Sequence, residues 1–93
     1  RLMPPVALTG VPEGTRALTE EIFGPVLPVV PYRSLDEALA FVNARPRPLA
    51  LYVFDRDRDT IDRTLAGTTA GGVTVNDTLL HIAQDELPFG GVG

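Results

Sequence analysis

Leu49-Ala50-Leu51-Tyr52-Val53-Phe54 is an unbroken apolar run of strand length, closed by Asp55. A strand covered on both faces reads this way, because neither side of its pleat has to meet water. What flanks the run decides the fold. Upstream, Ser34 with Glu37 three residues on makes a capping box. Leu35, Ala38, Leu39 and Val42 then fall at i, i+3, i+4 and i+7, one apolar stripe of a helix. Pro46 and Pro48 cannot continue that helix, so it ends by Arg45. Downstream, Asp55 or Asp57 can cap a second helix over about 57–66, whose apolar side is thin, mainly Ile61 and Leu65. Gly67 stops it. Gly71-Gly72 leads into Val73-Thr74-Val75, a strand by its β-branched residues.

Further out the signals weaken. Leu27 to Tyr32 is short and apolar, and Pro28 and Pro31 make it an edge or irregular strand. Residues 1–20 are punctuated by Pro4, Pro5, Gly10, Pro12 and Gly14 and read as irregular, with Val6-Ala7-Leu8 able to form a short strand. From Asn76 onward the chain reads as loop. The order strand, helix, strand, helix, strand predicts an α/β fold with a parallel sheet and right-handed crossovers.

Composition narrows the function classes. Ninety-three residues make at most one small domain, burying roughly 60–65% of the unfolded surface. The net charge of −4 argues against nucleic-acid binding, which wants a basic face. No apolar run approaches the roughly 20 residues of a membrane helix, and Arg1-Leu2-Met3-Pro4-Pro5 has no signal-peptide pattern. The cytoplasm is therefore the expected compartment. There is no Cys and one His, which removes disulfides, thiolate zinc sites and Cys nucleophiles and leaves His81 without a partner His for a metal.

Three segments are candidates for chemistry. In Glu20-Glu21-Ile22-Phe23-Gly24-Pro25, adjacent carboxylates in extended chain point to opposite sides, so only one can serve a given site. A carboxylate suits the two hydroxyls of a ribose; a solvated acidic pair before a turn is the competing reading. In Ala70-Gly71-Gly72-Val73-Thr74-Val75-Asn76-Asp77, paired glycines allow close backbone approach or an unusual dihedral. Asn76 and Asp77 stand at the carboxyl end of the strand, where open α/β sheets bind ligands, although an Asx-type turn explains them equally. Pro88-Phe89-Gly90-Gly91-Val92-Gly93 lacks the Lys and the strand–helix context of a phosphate loop, and a flexible loop with a buried Phe is the simpler reading. His81 reads as a packing or hydrogen-bonding residue. Asp55, Asp57, Asp59 and Asp62 read as a capped, solvated helix start, since the glycine and terminal Glu of a calcium loop are missing.

Taken together, the three segments resemble, in order and spacing, motifs of the aldehyde dehydrogenase superfamily. Pro46-Arg47-Pro48-Leu49-Ala50-Leu51-Tyr52-Val53-Phe54 looks like its class 3 branch. The whole chain, including Tyr32-Arg33-Ser34-Leu35-Asp36-Glu37-Ala38, is similar to the bacterial coniferyl aldehyde dehydrogenases. The resemblance covers essentially all 93 residues. It implies that residues 1–93 are the C-terminal part of the catalytic domain, a three-layer βαβαβ piece with a mostly parallel sheet. The Gly-rich cofactor-binding region and the catalytic Cys segment then lie upstream, and the chain stops before the family's terminal segment.

The resemblance also implies roles. Glu21 accepts hydrogen bonds from the nicotinamide-ribose hydroxyls of NAD or NADP, and Phe23 packs beside that ribose. Leu79, Ile82, Ala83 and Phe89 line the aldehyde pocket, while Asn76 is structural. In the family a Cys thiolate attacks the aldehyde, hydride leaves to the cofactor, and a Glu-activated water hydrolyses the thioester. An Asn side chain and a backbone amide stabilise the oxyanion. None of those groups is in this chain, so no catalytic residue and no metal ligand is expected here. The implied partners are an aldehyde, aromatic and coniferyl aldehyde-like, and further copies of the subunit as a dimer, with neither nucleic acid nor membrane. The residues by themselves leave open a free-standing, non-catalytic α/β binding or interaction module.

Overall fold

The computed structural model describes residues 2–91. The chain divides into two compact units, one running to Tyr32 and one beginning at Arg33.

In the first unit β1 (Val6–Thr9) pairs in parallel with β2 (Val26–Val29), Val6 opposite Val26 and Leu8 opposite Pro28. Pro28 is tolerated because a strand in a two-stranded sheet has one side free of ladder bonds. Between the strands stands α1 (Arg16–Thr19), a single turn. The Thr15 hydroxyl donates to the Pro12 carbonyl at 2.6 Å at its start. At its end Arg16 grips Glu20 through two bonds of 2.8 Å. In sequence this stretch reads as irregular. The usable signal was the Arg16/Glu20 pair four residues apart, a spacing that faces two side chains on a helix.

In the second unit α2 (Leu35–Asn43) starts where the capping box placed it. Ser34 Oγ accepts from the Glu37 amide at 3.2 Å. The returning half is shifted by one residue, since Glu37 accepts from the Arg33 amide at 2.9 Å. Asp36 and Glu37 meet the positive end of the helix dipole. β3 (Ala50–Val53) follows, then α3 (Arg58–Gly67), then β4 (Gly72–Val75). Of the two candidate caps, Asp57 serves, accepting from the Thr60 hydroxyl at 2.8 Å and the Thr60 amide at 3.1 Å. These bonds hold its carboxyl below the usual aspartate range. Asp55 instead accepts from the amides of Arg56 and Asp57, a local turn.

β3 and β4 are parallel, with Ala50 opposite Gly72 and Val53 opposite Val75. The two helices sit side by side. Asn43 Nδ2 donates to the Gly67 carbonyl at 2.7 Å, and Arg63 meets Asp36 at 2.6 Å.

The α/β class and the parallel pairing are as read from sequence, but the sheet is divided. β2 takes β1 as its partner, and β3 takes β4. The Val6 segment, faint in sequence, supplies the neighbour that the alternation had assigned to the next strand of a single sheet. Among the described residues β3, whose run reads as covered on both faces, pairs as a strand with β4 alone, and Leu49 and Phe54 at its ends are exposed. Among the described residues Val53 and Ile61 are the buried apolar side chains, an unusually small core for this apolar content. Among the described residues no helix is long and apolar enough to cross a membrane.

Candidate functional site

Two places carry the residues singled out by sequence. The first is the turn between α1 and β2. Glu20, in extended conformation after α1, is committed to Arg16, which in turn raises the guanidinium's pKa. Glu21 makes no side-chain hydrogen bond or ion pair among the described residues and is exposed. The two adjacent carboxylates therefore have different standing: one is engaged and the other is open to a ligand. Phe23 follows with φ +44° and is 94% exposed. A positive φ at a bulky residue is strained backbone, and here it projects an aromatic ring beside the open carboxylate's segment.

The second place is a cleft in the Arg33–Gly93 unit. Alternation along a strand puts Ala50, Tyr52, Gly72 and Thr74 on one face of the β3–β4 pair. The segment after β4 doubles back over that face. His81 Nδ1 lies 3.0 Å from the buried Thr74 hydroxyl, the direction of the bond following the imidazole tautomer. The His81 ring stands 5.7 Å from that of Tyr52. It sits so close over Gly72 that a side chain there would collide with it, and any Cβ at Gly90 would strike the Gly71 main chain. The paired glycines thus serve close approach.

Between the returning segment and the strands opens a cleft of about 540 Å³, lined largely by Leu49, Tyr52, His81, Ile82, Leu87 and Phe89. That volume is in the range of small-molecule pockets. It borders the amino ends of β3 and β4, at Leu49, Gly71 and Gly72. The open-sheet rule had pointed to the carboxyl ends, at Asn76 and Asp77. There Asn76, with φ +57°, accepts from the Asp55 amide at 3.0 Å and ties the two strand ends together. Asp77 accepts from the adjacent Thr78 amide at 2.7 Å, a local bond.

Of the four residues expected around an aldehyde, Ile82 and Phe89 line this cleft, and Leu79 and Ala83 do not. Leu79 lies in the turn after β4 with φ +61°. Phe89 is 75% exposed rather than buried, with one side open to solvent. Val92 and Gly93, the end of the last glycine-rich motif, lie outside the described residues. His81 is the packing and hydrogen-bonding residue that its sequence reading expects, although its partners Thr74 and Gly72, seven and nine residues back on β4, are ones no local pattern reveals. Among the described residues no group of three or more His, Cys, Asp or Glu side chains is placed to hold a metal ion.

All of residues 1–93 match the sequence profile of the aldehyde dehydrogenase family. The chain is 56% identical over its whole length to a probable coniferyl aldehyde dehydrogenase of Pseudomonas aeruginosa, of which it covers 20%. It is 53% identical to one of Caulobacter vibrioides, of which it covers 19%. It superposes with a TM-score of 0.90 on the substrate-bound state of Staphylococcus aureus AldH, at 46% identity, covering 97% of this chain and 20% of that one. The chain thus spans about a fifth of the length of the relatives it matches.

Proposed function

The chain belongs to the aldehyde dehydrogenase family, and we propose that it forms part of a longer NAD(P)-dependent enzyme to which it contributes a cofactor contact and a wall of the aldehyde site. The aldehyde in this reading is aromatic and coniferyl aldehyde-like, and the product is the carboxylic acid. The observation that carries the proposal is the split between Glu20 and Glu21. With Glu20 held by Arg16, Glu21 is an exposed carboxylate free to accept both hydroxyls of a ribose, and Phe23 offers a ring beside it. These residues fit a dinucleotide, whose nicotinamide supplies the hydride acceptor when bound.

The chain's own residues bind and orient. Glu21 fixes the ribose, which sets the cofactor's reactive end. Ile82 and Phe89 give the aldehyde's apolar body a surface to lie against. The family's chemistry needs a thiolate to form a thiohemiacetal, and these 93 residues hold no Cys. The nucleophile therefore comes from another part of the polypeptide in this reading. The names of the two coniferyl aldehyde dehydrogenase relatives support the substrate class.

The test is spectroscopic. The full-length polypeptide should release NAD(P)H with coniferyl aldehyde, while the 93 residues alone should release none above a heat-killed control. Failure of the full-length protein to turn over any aldehyde refutes the proposal, and activity of the 93 residues alone refutes the division of labour.

A further inference from the structure

We infer that His81 is a positioning residue for aldehyde selection: through Thr74 and Gly72 it fixes the loop that carries Ile82 and Phe89, and so sets the shape of the apolar wall. This rests on the reading of the cleft as the aldehyde's site.

The hydrogen bonds isolate His81. Among the described residues, the other hydrogen bonds of residues 77–91 are made within the loop itself, such as Ile82 to Leu79, Ala83 to Leu80 and Gly90 to Pro88. The 3.0 Å contact between His81 Nδ1 and Thr74 Oγ1 is the cross-tie to the sheet. Thr74 is buried, so its hydroxyl has no water to fall back on, and breaking the tie strands a polar group. Gly72 belongs to the same device, since only a residue without Cβ lets the imidazole lie this close to β4. Ile82 is the next residue in the chain, so a shift of His81 moves one wall of the cleft directly. The chemistry needs nothing from the imidazole, and its effect falls on fit rather than on turnover.

Selectivity follows. An aromatic aldehyde spans to the Ile82/Phe89 wall, whereas acetaldehyde is too small to reach it. Steady-state kinetics on the full-length protein, comparing coniferyl aldehyde with acetaldehyde, separates the cases. Thr74→Val, nearly the same shape without the hydroxyl, and His81→Ala should each raise KM for coniferyl aldehyde about tenfold. Thr74→Val should leave kcat for both substrates and KM for acetaldehyde near their original values. Thr74→Ser, which restores the hydroxyl, should recover KM. Phe89→Ala is the control for the pocket reading and should also cost the aromatic substrate more than the small one. If Phe89→Ala discriminates but Thr74→Val does not, the positioning role is overturned while the pocket reading stands. If Phe89→Ala affects both aldehydes equally, the pocket reading falls and this inference with it. A loss shared by both aldehydes in Thr74→Val, unrestored by Thr74→Ser, also overturns it, because that is the mark of a fold defect.

Discussion

His81 lies against Gly72, nine residues earlier in the chain, with no room for a Cβ between them. A loop is thus seated on a strand by the absence of a side chain on one partner and the ring of the other. Gly72→Ala forces the ring away and should destabilise the protein by about 1–3 kcal/mol, the usual cost of overpacking. His81→Ala in the same protein should restore part of that loss. A double-mutant cycle by thermal unfolding checks it. Additive effects would mean that the two residues do not press on each other.

The Ser34 cap is the plainest local determinant of α2. Ser34→Ala removes the acceptor of the Glu37 amide and should cost about 1 kcal/mol of helix stability. Read locally, that is about fivefold faster hydrogen exchange at Glu37 where exchange proceeds by opening of the first turn. Unchanged exchange there would show that packing, rather than the cap, holds the helix start.

Asp57 gives α3 a pH dependence of known sign. Its bonds from Thr60 favour the carboxylate, so its folded pKa lies below its unfolded one. The cap's contribution is present above the unfolded value, about 3.9, and is lost as pH falls through the lower, folded value. The Thr60 amide shift should therefore titrate with a midpoint below that of an ordinary aspartate. Asp57→Asn should abolish the titration while keeping an acceptor. A midpoint at or above the ordinary value contradicts the capping geometry.

Phe23 holds a positive φ that an L residue with a bulky side chain adopts at a cost on the order of 1–2 kcal/mol. Phe23→Gly should relieve the strain and leave thermal stability equal or higher, because the exposed ring packs on little within its unit. The same change removes the proposed aromatic contact and should raise KM for NAD(P). Loss of stability together with unchanged cofactor KM would assign the ring a packing role instead.

Local chemistry carried most of the legible information. Ser34 and Glu37 marked the start of α2 to the residue, and the apolar stripe with Pro46 marked its end. For α3 the acidic run offered two caps, and only the fold distinguishes Asp57, whose carboxylate meets Thr60, from Asp55, which turns on itself. The single turn α1 escaped because four residues carry no periodicity; β1 was legible as a short strand at Val6-Ala7-Leu8, but not its partner, twenty residues away. The cleft was the least legible part. Gly71 and Gly72 announced close approach, yet what approaches, His81 and Gly90, is fixed by a loop with no periodic pattern. For the same reason Ile82 and Phe89 meet at the cleft while Leu79 and Ala83, close neighbours in sequence, do not.

The most direct test of the proposed function is the comparison of two neighbouring carboxylates in the full-length enzyme. Glu21→Gln keeps size and removes the charged acceptor, and hydrogen bonds to charged groups contribute about 1.5–3 kcal/mol. Cofactor affinity or the rate of hydride transfer should fall about 10- to 150-fold. Glu20→Gln breaks an exposed pair with Arg16, worth little to stability, and should leave cofactor binding nearly unchanged. The measurement is NAD(P) affinity and single-turnover NAD(P)H formation for both variants side by side. A large loss confined to Glu21→Gln is the predicted result; equal losses in both variants, or a loss confined to Glu20→Gln, would contradict the assignment of Glu21 as the ribose acceptor.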